Sequence, residues 1–140
     1  MPSAVHQPHC IFCRIAAGQA PAAIVHRDDT TLAFMDISPV SRGHTLVIPV
    51  DHYPDLYAMP DEVAQALMRT GAKVVRAVKA AFGAAGVNLW MANERPAGQE
   101  VFHAHLHVIP RYFDDGIRLD APGREHASHP ALEQTAADIR

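Results

Sequence analysis

The segment that begins at Pro60 limits the possible folds more than any other part of the sequence. Pro60 is followed by Asp61 and Glu62, as in the first turn of a helix, where proline is tolerated and acidic side chains favour the helix dipole. Apolar residues then recur at spacings near four until Gly83 and Gly86 end the pattern. The apolar stripe consists of Val63, Leu67, Val74, Val78 and Phe82. We expect a long helix that covers one face of a β-sheet.

Several other segments have the composition of β-strands, and they lie on both sides of this helix in the chain. The first two are separated by Asp28 and Asp29, which favour a turn, so they predict a β-hairpin. A short helix is expected from Cys10 to a stop at Gly18. The strand segments are AAIVHR, TTLAFMD, HTLVIPV, VNLWMANE and VFHAHLHVI. This order predicts an α+β domain with a mainly antiparallel five-stranded sheet, one long helix and one short helix.

The length of the chain suits one such domain. Its 140 residues, 49% of them hydrophobic, are enough for one globular unit with a single core. We expect the domain to span residues 10–118, between an N-terminal tail of residues 1–9 and a C-terminal tail of residues 119–140. The apolar side of a short helical segment in the C-terminal tail would carry Leu132, Ala136 and Ile139.

Charge and hydropathy argue against two classes of partner. The formal net charge is −3 and the 12 basic residues are scattered, so we expect no nucleic-acid partner. No apolar run approaches the roughly 20 residues of a membrane span, and the start MPSAVHQPHC lacks a charged segment followed by an apolar block. We therefore expect a cytoplasmic protein with no membrane partner.

The segment VFHAHLHVIPRY carries the first sign of function. His103, His105 and His107 occupy every second position, so on an extended chain all three side chains point the same way. Imidazole has a poor strand propensity and each ring needs hydrogen-bond partners, so three on one face indicate a site. Two kinds of site remain open at this point: a metal centre, or nucleophilic catalysis by one imidazole.

The two cysteines bear on that choice. Cys10 and Cys13 form a Cys-x-x-Cys pair, but the pair precedes every predicted strand, whereas a redox motif should follow a strand in a thioredoxin-like unit. As half of a tetrahedral zinc site, the pair needs only two further ligands. If two histidines complete such a site, at least one imidazole of the triplet stays free for chemistry.

Longer fragments carry a resemblance to a known family. HAHLHVI, after AGQEVF, resembles the His-x-His-x-His motif of the histidine triad family of nucleotide hydrolases and transferases. The likeness extends from Cys10 to about Arg118 and includes CIFCRI, LAFMDISPVSRGHTLVIP and NERPAGQEVFHAHLHVIPR. LAFMDI followed by GHTLVIP looks closer to the nucleoside phosphoramidase branch than to the dinucleoside polyphosphate branch. The resemblance implies the fold of that family and a homodimer that pairs the fourth strands across a two-fold axis.

The function implied by the resemblance is hydrolysis of purine nucleoside 5′-phosphoramidates such as AMP-lysine. One alternative is a dinucleoside polyphosphate hydrolase that uses the same residues. An alternative of another class is a nucleotide-binding or scaffolding module with incidental turnover. In all three, the small-molecule partner is a purine nucleotide.

The resemblance also implies roles for individual residues. His105 would be the nucleophile that forms a nucleotidyl-histidine, with His107 and His44 at the phosphate and Gly43 allowing close approach of the backbone. Asp36 would hold the ribose hydroxyls. The apolar slot for the base would be formed by Phe34, Ile11, Phe12 and Ile15, and polar positions near the phosphate by Asn93 and Gln99.

At Glu100 the chain departs from relatives that carry Ser or Thr. Those hydroxyls donate to a phosphate oxygen, which an ionised glutamate cannot do, so the leaving-group side of the pocket is expected to differ.

Bacterial members of the family that begin with Cys-x-x-Cys bind zinc, and the matching residues here are Cys10, Cys13, His52 and His103. Four protein ligands leave no open coordination position, so the implied zinc is structural.

Overall fold

The computed structural model of the protein describes residues 6–118 and 120–140. Five strands form one sheet in the order β1-β2-β3-β5-β4, and all neighbouring strands are antiparallel. The strands are β1 (Ile24–Arg27), β2 (Thr31–Met35), β3 (Thr45–Pro49), β4 (Gly86–Trp90) and β5 (Leu106–Arg111). The predicted α+β architecture with an antiparallel five-stranded sheet is confirmed.

The described residues also form three α-helices and one 3₁₀ turn. They are α1 (Ile11–Ala16), α2 (Asp61–Phe82), the turn Arg95–Ala97 and α3 (His129–Ile139). Cys10 caps α1 because its Sγ accepts from the Cys13 N–H at 3.4 Å. Gly83 ends α2 in the left-handed conformation and donates its N–H to the Lys79 carbonyl. Both predicted helices are confirmed, although Gly86 begins β4 rather than ending α2.

The long helix α2 covers one face of the sheet, as its apolar stripe predicts. Leu67, Val74 and Val78 are buried against inward-facing residues of the strands, including Val47 and Leu106. The helix approaches closely: a Cβ added at residue 71, a glycine, would lie 2.8 Å from a Leu106 methyl group. The helix is therefore tightly packed on the sheet at Gly71, and a cavity of about 300 Å³ borders its second half, from Lys73 to Phe82.

The opposite face of the sheet carries a second apolar cluster, and α1 packs against it. Phe12 and Ile15 of α1 meet alternate residues of β2 and β3, among them Phe34 and Leu46. In β5, Leu106 and Val108 belong to the α2 side, so the period of two directs His107 to the α1 side. The alternation in the sequence therefore places His107 on the face that α2 leaves uncovered.

One boundary differs from the sequence-based expectation. The fifth strand was expected from Val101, but β5 begins at Leu106, so His103 and His105 lie before the strand rather than within it. Pro49 has no N–H to donate where β3 would continue the ladder. The Ala104 N–H donates instead to the Tyr53 carbonyl at 2.7 Å.

The tails lie outside the sheet. Residues 1–5 of the expected N-terminal tail, and Leu119 at the start of the expected C-terminal tail, are outside the described residues. The helical segment expected near the C-terminus is confirmed as α3, which buries no side chain among the described residues. Within the same ranges, no helix combines the length and apolar character needed to cross a membrane.

Candidate active site

A cleft of about 1190 Å³ opens on the face of the sheet opposite α2. One wall is apolar and comes from α1 and β2, where Phe12 and Phe34 meet edge to face with ring centroids 5.4 Å apart. Ile11 and Ile15 extend this wall. The structure thus brings together all four residues expected to form the slot for the base.

His105 lies at the floor of this cleft with a defined tautomer. It is 8% exposed, and its Nδ1 lies 2.7 Å from the His103 carbonyl oxygen. Because a carbonyl can only accept, Nδ1 carries the proton and Nε2 keeps its lone pair. The Phe12 ring packs edge to face on the imidazole at 5.2 Å and restricts its rotation. This arrangement suits a nucleophile at Nε2.

His44 and His107 form a hydrogen-bonded pair beside His105. The Val40 backbone N–H donates to His44 Nδ1 at 3.2 Å, so a neutral His44 carries its proton on Nε2. That Nε2–H donates to His107 Nδ1 at 2.9 Å, which leaves the His107 proton on Nε2. The His105 and His107 ring centroids are 5.0 Å apart. A hydrogen-bond donor therefore lies next to the proposed nucleophile.

Burial keeps these imidazoles uncharged near neutral pH. It lowers the pKa of His44 and of His105, with Asp36 opposing the shift. For His107, burial together with the neighbouring His105 and His44 lowers the pKa to about 4. A neutral His105 has the free lone pair that nucleophilic attack requires.

Asp36 follows β2 and places a carboxylate at the polar end of the cleft. Its Oδ1 accepts from the Ser38 N–H at 2.8 Å, and its Oδ2 lies 3.5 Å from His44 Nε2. The Asp36 N–H donates to the His44 carbonyl, which ties the end of β2 to the segment that carries His44. Asp36 therefore lies beside His44, in the same cleft as the apolar wall.

A second cluster of side chains lies beneath this floor and could hold a metal. The potential ligand atoms of Cys10, Cys13, His52 and His103 all lie within 4.8 Å of one another. Sulfur to Nδ1 distances are 3.4 Å for Cys10–His103, 3.4 Å for Cys13–His52 and 3.5 Å for Cys13–His103. Tetrahedral zinc with ordinary Zn–S and Zn–N bonds requires a sulfur–nitrogen separation of about 3.5 Å. The donor set fits zinc in both chemistry and spacing.

The tautomer of His103 suits the same centre. Its Nε2 lies 2.9 Å from the Pro49 carbonyl and must donate to it, so Nδ1 is unprotonated and directed at the cysteines. Burial lowers the pKa of His103 to about 4, which keeps the ring neutral as a ligand. The backbone carbonyl of this residue also accepts from His105, so the metal cluster and the proposed nucleophile share one residue.

Comparison with known proteins identifies the family. Residues 17–114 match the HIT domain. "Protein hit" of Bacillus subtilis is 47% identical over 119 residues, which cover 85% of this chain and 81% of that protein. The chain belongs to the HIT family. Proteins of this family bind nucleotides and are generally hydrolases.

Two further HIT relatives bear on the chemistry and the metal of the family. The "Adenylylsulfatase HINT3" of Arabidopsis thaliana is 36% identical over 125 residues, covering 89% of this chain and 64% of that protein. A "ZN-bound histidine triad family protein" from Mycobacterium smegmatis has a solved structure with a TM-score of 0.76 and 36% identity, covering 94% of this chain and 95% of that one. The resemblance to the histidine triad family seen in the sequence is confirmed.

Gln99 and Asn93, which were expected near the phosphate, do not line the cleft. Their side-chain amides form hydrogen bonds with backbone groups of loops instead. Gln99 is 3% exposed; its Oε1 accepts from the Glu94 N–H, and its Nε2 donates to the carbonyls of Pro54 and Val101. The Oδ1 of Asn93 accepts from the Leu56 N–H at 2.8 Å. Both amides fix loops whose backbone groups lack partners in the sheet.

Trp90 also lines the cleft, although no sequence pattern pointed to a functional role for it. Its indole lies 5.3 Å from the His107 ring, and the two residues are directly paired across β4 and β5. The alternation of VNLWMANE could have revealed this, because a side chain opposite a triad histidine shares its face of the sheet. Trp90 is 44% exposed and forms the wall opposite the α1 side.

Proposed function

We propose that this HIT-family chain hydrolyses purine nucleoside 5′-phosphoramidates of the AMP-amine type through a nucleotidyl-histidine on His105. The observation that carries this proposal is the fixed tautomer of His105, with Nδ1–H held by the His103 carbonyl and a free Nε2 in a cleft that has one apolar wall. Splitting one displacement into two through an imidazole requires this arrangement.

Binding would place the base against the wall that contains Phe12 and Phe34, and the ribose hydroxyls at the Asp36 carboxylate. A carboxylate accepts hydrogen bonds from both hydroxyls, and its position beside His44 puts the 5′-phosphorus near the histidines.

In the first step, His105 Nε2 attacks phosphorus and the P–N bond breaks. The departing amine takes up one proton from solvent in the open cleft, because the neutral pair of His44 and His107 has no proton to give up without forming an imidazolate. The Nε2–H of His107 stabilises a phosphoryl oxygen as charge develops on it.

In the second step, water attacks phosphorus and the P–N bond to His105 breaks. The water releases one proton to solvent, which balances the proton taken up by the amine. The products are the nucleoside monophosphate and the free amine.

The charges in the cleft favour phosphoramidates over dinucleoside polyphosphates. Among the described residues that line the cleft there is no lysine or arginine, and the acidic residues are Asp36 and Glu100. A polyphosphate chain carries several negative charges and needs cationic groups to offset them. A phosphoramidate carries one negative charge at the reacting phosphorus.

The metal cluster would hold a structural zinc through Cys10, Cys13, His52 and His103. When bound, the metal supplies only a link between α1 and the backbone that carries the triad, because four protein ligands leave no position for substrate. The Zn-bound relative from Mycobacterium smegmatis supports this choice of metal.

The test of the proposal is turnover of a fluorogenic AMP-amine by the wild-type chain and by His105→Asn. We expect saturable turnover by the wild type, and loss of most of it in the variant with nucleotide binding still measurable. His126→Asn is the matched control, since His126 is exposed and outside the cleft. Rapid acid-free quenching should trap the nucleotide on His105, detected by mass spectrometry.

Three results would contradict the proposal. Near-normal turnover by His105→Asn would show that His105 is not the nucleophile. Faster hydrolysis of diadenosine tetraphosphate than of the AMP-amine would favour the polyphosphate alternative. Tight nucleotide binding without saturable turnover would favour a binding module.

A further inference from the structure

We propose that Glu100 is a specificity-determining residue that favours leaving amines with an additional positive charge and disfavours anionic leaving groups. This inference rests on the proposed phosphoramidase function and names the chemistry of the leaving group, which that function leaves open.

The first support is the rigid backbone around Glu100. The buried Gln99 side chain bonds to the N–H of Glu94 at 2.7 Å and to the carbonyls of Pro54 and Val101 at 2.6 and 3.0 Å. Glu100 lies between two residues that this network holds. Its Cα therefore has a fixed position, while its side chain is exposed and lines the cleft.

The second support is that the carboxylate of Glu100 has no competing partner. Across residues 6–118 and 120–140, no basic side chain pairs with it and no hydrogen bond of its side chain is formed. By contrast, the carboxylate of Asp36 already accepts from the Ser38 N–H. Glu100 is thus the acidic group of the cleft that remains free to bind a cation.

The third support is its position relative to the sheet. The apolar wall for the base lies at α1 and β2, and Trp90 lies on the edge strand β4. Between them, His44 and His105 immediately precede β3 and β5, and His107 lies on β5. A Cβ added at Gly98 would be 3.8 Å from the Trp90 ring, and Val101 packs against the apolar cluster of α1, so the segment that carries Glu100 runs along the cleft from the β4 end towards α1. A nucleotide whose base is at α1 and whose phosphorus is at the histidines would extend its leaving group past the histidines, along the part of the cleft that this segment lines.

The fourth support is the electrostatic character of the cleft. Burial lowers the pKa values of His44 and His107, so neither ring supplies a positive charge at neutral pH. With no lysine or arginine among the described lining residues, the carboxylates set the sign of the potential. A cation on the leaving group is attracted by this potential, and an anion such as sulfate, phosphate or carboxylate is repelled.

The experiment uses three phosphoramidates of one nucleoside monophosphate. Their leaving amines have the same chain length and end in an ammonium, a hydroxyl or a carboxylate group. The values of kcat/KM are measured for wild type, Glu100→Gln and Glu100→Lys, with Glu62→Gln as a control that makes the same charge change at an exposed position in the first turn of α2.

We expect the wild type to prefer the ammonium substrate over the neutral one, and the neutral one over the carboxylate. Glu100→Gln should reduce the ammonium preference by about fivefold, the size expected for one exposed charge pair. Glu100→Lys should invert the order, and Glu62→Gln should leave it unchanged. The wild-type preference should also weaken in 0.5 M salt, because the interaction is exposed to solvent.

An unchanged substrate order in both Glu100 variants, with turnover intact, would overturn this inference and leave the phosphoramidase proposal standing. Failure of the wild type to hydrolyse any of the three substrates would overturn the phosphoramidase proposal itself, and the role of Glu100 with it.

Discussion

Replacement of Gly43 by alanine should destabilise the fold and impair the site together, because this residue joins the α2 side of the sheet to His44. Gly43 has a φ of 93°, and an added Cβ would lie 2.7 Å from two atoms of the Phe82 ring and 3.2 Å from Pro110 Cγ. Phe82 is half-buried, and the Arg42 guanidinium lies 4.8 Å from its ring centroid, so the ring can make room for a Cβ only by giving up this contact.

Two contributions set the magnitude. A left-handed conformation costs an L-residue other than glycine about 1–2 kcal/mol. Overpacking a well-filled contact costs about 1–3 kcal/mol more. We therefore expect Gly43→Ala to lower the free energy of unfolding by about 2–5 kcal/mol.

Gly18→Ala separates the two contributions. Gly18 also has a positive φ, 73°, but an added Cβ there would meet no atom within 4 Å. The Gly18→Ala variant should therefore lose only the contribution of the left-handed conformation, about 1–2 kcal/mol of the free energy of unfolding. Urea denaturation of both variants at equal metal content measures the difference, provided that the m-value stays constant.

The activity of Gly43→Ala should fall as well, because the Nε2–H of His44 holds His107 in place. If Gly43→Ala were no more destabilising than Gly18→Ala, the predicted clash with Phe82 would be absent and the steric argument would be wrong.

Three further predictions concern the metal, pH and assembly. Chelation, or Cys13→Ser, should lower the melting temperature because the proposed zinc would link α1 to the triad segment, and elemental analysis should find about one zinc per chain in untreated protein. Burial in the folded state lowers the pKa of His107 to about 4, so the unfolded state binds more protons between pH 6.5 and 4. The free energy of unfolding should therefore decrease as the pH is lowered from 6.5 to 4, and it should decrease less steeply in His107→Asn. Light scattering should give a dimer mass, since β4 is an edge strand with Leu89 41% and Trp90 44% exposed; a monomer mass at micromolar concentration would refute this.

The sequence alone predicted those features of the fold that depend on residue spacing within a single helix or strand. The stripe from Val63 to Phe82 determines which face of α2 meets the sheet, because the helical period is intrinsic to the backbone. The alternation around His107 likewise determines that its ring faces away from α2. The family resemblance supplied the grouping of Cys10 with His103, which no local spacing could provide.

The tertiary structure decided which main-chain groups meet the side chains of the candidate site. The carbonyl of His103 fixes the tautomer of His105, and the N–H of Val40 fixes that of His44. It also assigned Gln99 to the backbone of a loop and brought Trp90 to the wall of the cleft. A side chain's direction follows from the local period of its own segment. Its hydrogen-bond partners depend on the path of distant segments, and that path is set only when the whole chain packs.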